Sequence, residues 1–139
     1  MTADQIIAHL QLTPHPEGGH YRQTWSHETD GDRPAGTCIY FLLRAGERSH
    51  WHRVDATEIW HYYAGAPITL QISETSAGPA RSLTLGPDLA SGALPQHIVP
   101  EGWWQSAEST GDWTLVGCTV SPGFRFEGFE LAPAEFDIC

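Results

Sequence analysis

An all-β fold with one short N-terminal helix is the class this sequence predicts, and three observations carry the prediction. Short runs rich in aromatic and β-branched residues recur along the chain, divided by Gly, Pro and Asp. One run, Ile68–Ser73, alternates cleanly, with Ile68, Leu70 and Ile72 set against Thr69, Gln71 and Ser73. A clear helical signature occurs once, at the start. Many short strands with turn signals between them specify a sandwich or barrel.

Thr2 and Gln5 form a Thr-x-x-Gln capping box, and Ile6, Ile7 and Leu10 follow at helical spacing, which predicts a helix over about residues 3–11. Pro14 and Pro16 end it, and Pro16-Glu17-Gly18-Gly19 reads as a turn. Strands are expected at Tyr21–Ser26, Thr37–Arg44, Glu58–Tyr63, Ile68–Ser73, Ser82–Leu85, Gln96–Val99, Trp104–Ala107, Thr114–Thr119 and Phe124–Phe129. The polar stretch Glu28–Gly36 reads as a hairpin loop, and Gly86–Gly92 as a loop or a single helical turn. A length of 139 residues with no repeat, low-complexity tract or linker suits one domain over 1–139, its barrel spanning about 20–133.

Composition narrows the partners. Forty per cent hydrophobic residues and six tryptophans supply a core, while a formal charge of -10 argues against nucleic acid or an anionic membrane surface. The three cysteines, Cys38, Cys118 and Cys139, are far apart and in no metal-like spacing. That suits a reduced, cytoplasmic protein, with Cys38 and Cys118 as small core residues and Cys139 exposed. The first residues lack a basic leader, and no apolar run approaches membrane-spanning length.

The chemistry concentrates between Gly46 and Gly65. His50 and His52 are two apart, so on a strand both imidazoles share a face, and Glu58 opening the next strand brings a carboxylate to them. That is the start of a metal site or of an acid/base site. Glu58, Trp60 and Tyr62 share one face of their strand, while Ile59, His61 and Tyr63 share the other. If Glu58 faces a pocket, His61 faces outward, unless a bulge turns it back. Trp60 then forms an apolar wall that raises the Glu58 pKa by desolvation. Glu17, Tyr21 and Arg22 either line the pocket rim or form an ordinary turn and edge strand, and an inward Arg22 implies an anionic substrate group. His15, His20 and His27 lie near turns and read as surface groups.

The spacing Gly46-x3-His50-x-His52-x5-Glu58-x6-Gly65 resembles the first motif of the cupin superfamily, and Pro100-Glu101-Gly102-Trp103-Trp104-Gln105 resembles the second, with Gln105 where a histidine would stand. Together with Pro14-His15-Pro16-Glu17-Gly18-Gly19, Glu58-Ile59-Trp60-His61 and Leu115–Phe124, these stretches look like the uncharacterised cupin-5 branch over roughly residues 3–133. In the pattern of that branch His52, Glu58 and His61 fit better than His50. The resemblance implies a jelly-roll double-stranded β-helix, a pocket in the barrel mouth and commonly a homodimer, and implies no settled activity.

Three functions follow as expectations. The first is isomerase- or epimerase-like proton transfer on a sugar-like or carbonyl-bearing small molecule. There His52 is the base, Glu58 its partner or the acid, Gln105 an orienting amide, and Tyr21, Tyr62 or Tyr63 an acid from the other side. The second is a metal-dependent enzyme holding Fe, Mn, Ni or Zn through His50, His52, Glu58 and Gln105, although an amide is a poor ligand and the five-residue spacer is long for a cupin. The third is a ligand-binding module without catalysis.

Overall fold

Thr2 starts the first helix as its capping box requires: its hydroxyl accepts the Gln5 N–H at 3.2 Å and the Gln5 side chain accepts the Thr2 N–H at 2.8 Å. The computed structural model describes residues 1–139, and this helix, α1, spans Ala3–Leu10. It ends where Gln11 turns left-handed, with φ 57°. Ile6 and Leu12 bury their side chains against Leu42, so the helix covers part of the outer face of a sheet.

Eleven strands follow: β1 (Thr13–Pro14), β2 (His20–His27), β3 (Gly36–Arg44), β4 (Arg48–Val54), β5 (Thr57–Gly65), β6 (Ile68–Ser73), β7 (Arg81–Leu85), β8 (Gln96–Val99), β9 (Trp104–Ser109), β10 (Trp113–Ser121) and β11 (Phe129–Leu131). They form two antiparallel sheets, ordered β1-β2-β3-β10-β5-β8 and β11-β4-β9-β6-β7. This is the double-sheet arrangement of a jelly roll, in which the chain from β3 onward passes between the two layers at every step but β6 to β7. No helix is long and apolar enough to cross a membrane.

The core lies between the sheets. Phe41, Trp60, Val116 and Cys118 from the six-stranded sheet meet Ile68, Leu70, Ile72 and Ala107 from the five-stranded one. Strand parity then fixes the opposite face. Trp25, Cys38, Thr119, Ile59 and Ile98 are cross-strand neighbours in register, and they form a row on the outer side of the six-stranded sheet. Trp25 and Ile98 are each 53 % exposed. Cys38 is therefore a half-buried outer residue, unlike the core position expected of it; Cys118, one register row away and inward, is buried.

Two segments differ from the sequence expectation. The stretch expected as a strand over Phe124–Phe129 is a single 3-10 turn at Phe126–Gly128 leading into β11. Its backbone donors are spent on the β2–β3 loop and β3 rather than on a ladder: Gly123 N–H donates to the Pro34 carbonyl (2.8 Å) and Phe124 N–H to Thr37 Oγ1 (2.9 Å). The other is β4, absent from the expected strands because Arg48, Ser49, His50, His52 and Arg53 give it little apolar pattern. Its place between β9 and β11 supplies the hydrogen bonds its composition does not advertise.

Candidate functional site

β4 carries a bulge. Ser49 pairs with Ala107 but His52 pairs with Gln105, so the extra residue lies between them. A bulge re-aims side chains along a strand, and here it separates the two histidines expected to share a face. His50 turns away from the barrel, its Nε2 at 2.7 Å from the Pro133 carbonyl. His52 turns inward and is 2 % exposed. Its Nδ1 lies 2.7 Å from the His50 carbonyl. A carbonyl only accepts, so Nδ1 carries the proton and Nε2 of the neutral ring is left as a base.

That free nitrogen points at a residue from the loop before β2. Glu17 Oε1 lies 3.5 Å from His52 Nε2 and 3.4 Å from His15 Nδ1. Glu17 Oε2 accepts the Ser49 hydroxyl. The loop is held by its backbone: His50 N–H donates to the Glu17 carbonyl (2.8 Å), His15 N–H to the Gly19 carbonyl (2.9 Å) and Gly18 N–H to the His15 carbonyl (3.0 Å). Gly18, at φ +111°, is forced by space as well as by conformation, since a Cβ there would sit 2.0 Å from the Arg48 carbonyl oxygen.

Glu58 closes the other side. It projects from β5 into the interior, and its Oε1 accepts the Gln105 amide at 2.9 Å; Gln105 Oε1 in turn accepts the Trp60 indole N–H at 2.7 Å. Both Gln105 contacts cross between the sheets, so the amide is committed to holding Glu58 and does not line the pocket. Trp60 shares the Glu58 face as expected, but it serves as the anchor of this chain rather than as a pocket wall.

A cavity of about 220 Å³ opens over these groups. His15, Glu17, His52, Glu58 and Cys118 contribute polar atoms, Ile39, Val54 and Val120 line apolar walls, and Tyr21, Phe124 and Phe126 supply aromatic surface. His15 stacks edge-on against Tyr21, with ring centroids 4.5 Å apart. Of the expected site residues, His52, Glu58, Glu17 and Tyr21 are brought together. Arg22 is not: its guanidinium donates to the Leu10 carbonyl at 3.3 Å, outside the pocket. Nor is Tyr62, whose hydroxyl donates to the Gly65 carbonyl (2.6 Å). His61 lies on the outer face, its Nε2 3.2 Å from Thr119 Oγ1. His20 is half-buried and His27 exposed, whereas His15, expected at the surface, is 9 % exposed. The signal that marks it is the turn itself: two consecutive glycines after Glu17 allow the loop to fold against β4, carrying His15 and Glu17 inside.

Burial sets the protonation of this floor. Glu17 is pushed up to about 8 because desolvation outweighs the Ser49 hydrogen bond. Desolvation raises Glu58 to about 7, opposed by His52 and assisted by Glu17. His15 is lowered to about 4 by burial and by His52, and burial lowers His52 as well. Around neutral pH the floor therefore holds two carboxyls able to give or take a proton beside two neutral imidazoles. Cys118, driven well above its ordinary range by burial and by Glu58, stays a thiol.

The predicted ligand set His50, His52, Glu58 and Gln105 does not converge. His50 is engaged with Pro133 on the far side of the strand and Gln105 lies behind Glu58. No cluster of three or more His, Cys, Asp or Glu side chains has the arrangement of a metal centre.

A jelly roll with a polar pocket between its sheets defines the cupin class. The chain belongs to the family described as cupin superfamily (DUF985), whose profile matches residues 4–132. It is similar to a solved protein of Shewanella oneidensis, with 44% identity over 95% of this chain and 85% of that one and a TM-score of 0.89. A hypothetical protein from Leishmania major shares 33% identity over 95% of this chain and 88% of that one, at a TM-score of 0.86. Bacillus subtilis oxalate decarboxylase, a protein with Mn(II) centres, shares the fold alone. It is 12% identical, over 85% of this chain and 29% of that one, at a TM-score of 0.65. Curated proteins return no match.

Proposed function

We propose that this cupin moves a proton next to a carbonyl of a small molecule, as an isomerase or epimerase does. The observation that carries the reading is His52 Nε2, fixed as the basic nitrogen by the His50 carbonyl and aimed into the cavity between Glu17 and Glu58. In this reading His52 removes the proton and Glu58, poised near neutral pH, returns one to the neighbouring position. Glu17 stands 3.5 Å from His52 Nε2 and, when ionised, stabilises the imidazolium that forms. Tyr21 lies on the wall, within the same cavity, to hold the carbonyl oxygen. A proton donor whose pKa lies near the working pH is efficient in such a transfer, and Glu58 meets that condition.

The metal-dependent alternative draws less support, because two of its four ligands are turned elsewhere; no step of the proposal passes through a metal. A homodimer is proposed to form through the outer row of Trp25, Ile59 and Ile98, and the unpaired cysteines favour a cytoplasmic setting.

The test is solvent exchange. The protein, treated with a chelator, is incubated in D2O with small aldoses, ketoses and α-substituted carbonyl compounds while proton NMR follows the α-hydrogen. Protein-dependent loss of that signal is expected, at least 100-fold slower in His52→Ala and unchanged in His50→Ala. Saturable binding without exchange would leave a binding module, and exchange that returns only on adding metal would overturn the metal-free reading.

A further inference from the structure

The charge inventory around the pocket points to the class of molecule it takes. All seven basic residues of the chain are arginines, and none lines the cavity. Arg22 is on the Leu10 carbonyl, and Arg33 and Arg125 both reach Asp55, at 2.7 and 3.5 Å. A buried phosphate or carboxylate needs a guanidinium, an ammonium or a nest of backbone donors to replace its hydration. No guanidinium or ammonium lines this cavity, and two carboxyls stand in its floor instead. An anionic substrate, which an inward Arg22 would have implied, is thus the class the site disfavours most.

What the walls provide is suited to the opposite charge. Tyr21, Phe124 and Phe126 present aromatic surface to the same space as Glu17 and Glu58, with the Phe124 and Phe126 rings 5.0 Å apart at the mouth. A carboxylate neutralises a desolvated ammonium, and aromatic walls pack the carbon chain that carries it. The formal charge of -10 adds a long-range field that draws cations toward the surface. A volume of about 220 Å³ limits the ligand to a small molecule.

We propose that the pocket binds a small primary amine in its ammonium form, its charge set against Glu17 and Glu58 and its carbon chain against Phe124 and Phe126. The proposal rests on the reading of this cavity as the functional site, and it narrows the carbonyl substrate to one that also carries an amino group. Charge balances on binding: the ammonium enters, a carboxyl that was neutral releases its proton to solvent, and an ion pair remains.

The experiment uses three probes of one shape, n-butylammonium, butyrate and n-butanol, titrated into the intact protein at pH 7.5. Binding is followed by chemical shifts of the labelled Tyr21 and Phe126 rings. Saturable binding of n-butylammonium is expected, at least tenfold tighter than either matched probe. Glu58→Gln should weaken it at least tenfold and Phe126→Ala about threefold; Phe126 is 52% exposed, so the second variant keeps its fold. Butyrate or butanol binding as tightly as the amine, or no binding by the amine, would overturn the proposal. Its failure is separable from that of proton transfer. Amine binding with no deuterium exchange removes the chemistry and keeps the ligand class, whereas exchange on uncharged carbonyl compounds without amine binding does the reverse.

Discussion

The pocket floor has two halves built on different principles. Glu58 belongs to the strand-borne half, where Trp60, Gln105 and Glu58 form one hydrogen-bonded chain between the sheets. Glu17 belongs to the loop-borne half, where three backbone hydrogen bonds and two glycines at positive φ hold a turn against β4. Both carboxyls are buried, yet the loop-borne one rises to about 8 and the strand-borne one to about 7. The difference follows from their partners. Glu58 has His52 beside it and the Gln105 amide donor to favour its ionised form, whereas Glu17 has chiefly the Ser49 hydroxyl against full desolvation. Position on a strand secures geometry, and the local donors decide how easily the proton leaves.

The strand-borne half should break with the larger effect. Gln105→Leu takes its acceptor from the Trp60 indole and the amide donor from Glu58 inside the barrel, at a cost of about 3 kcal/mol. In thermal unfolding this should appear as a fall of roughly 10 °C, with the Glu58 carboxyl displaced upward in pKa. Gln105→Glu changes the donor into an acceptor and should be as damaging above neutral pH. An unchanged melting temperature in Gln105→Leu would mean that the chain between the sheets carries no weight.

The loop-borne half should break locally. Gly18→Ala places a methyl on the Arg48 carbonyl in a conformation that L-residues avoid, a strain of about 2 kcal/mol. Relief requires the turn to lift from β4, so His15 and Glu17 leave the pocket while the barrel stays folded. The expected readout is loss of hydrogen-exchange protection at the His50 and Gly18 amides with protection at the Gln105 amide retained. Loss of protection at both would join the halves into one unit.

A smaller effect separates them by pH. A carboxyl whose folded pKa lies above its unfolded value binds protons that the unfolded chain has released, so stability falls as pH rises from about 4.5 to 8. Glu17→Gln removes that contribution. It should melt higher than the wild type at pH 8 and at the same temperature at pH 4.5. His15 has the opposite sign: held neutral at about 4 in the fold, it takes stability away as pH falls below its ordinary value of 6.5. Below about pH 6.5 the two contributions oppose each other, so the wild type should lose stability most clearly between pH 6.5 and 8, and a flat profile there would count against the raised Glu17 carboxyl.

The two halves also explain what the sequence disclosed. The jelly roll was legible because alternation at Ile68–Ser73 and the turn residues between strands report directly on a half-buried sheet. The inward Glu58 was legible for the same reason, since parity on a regular strand is a period of two. His50 misled because a bulge breaks that period, and no residue of Ser49–His52 announces one. Gln105 stood in the expected row, but whether its amide met substrate or Glu58 depended on the distance between sheets. The loop-borne half was hardest. Pro16-Glu17-Gly18-Gly19 marks a turn, and only the approach of Gly18 to β4 makes it a wall of the pocket. Arg22 missed the cavity by strand parity: it pairs with Tyr40 on the outer face, where its guanidinium meets the Leu10 carbonyl, while Tyr21 pairs with the inward Phe41.

Central to the account is a floor of two carboxyls that exchange protons near neutral pH, and its most direct test is a carbon NMR titration of side-chain-labelled glutamate between pH 4 and 9. Glu17→Gln and Glu58→Gln assign the two signals. Both should titrate well above pH 6, with Glu17 the higher. Midpoints near 4.5 for both would mean that the pocket floor is permanently ionised, and would contradict this.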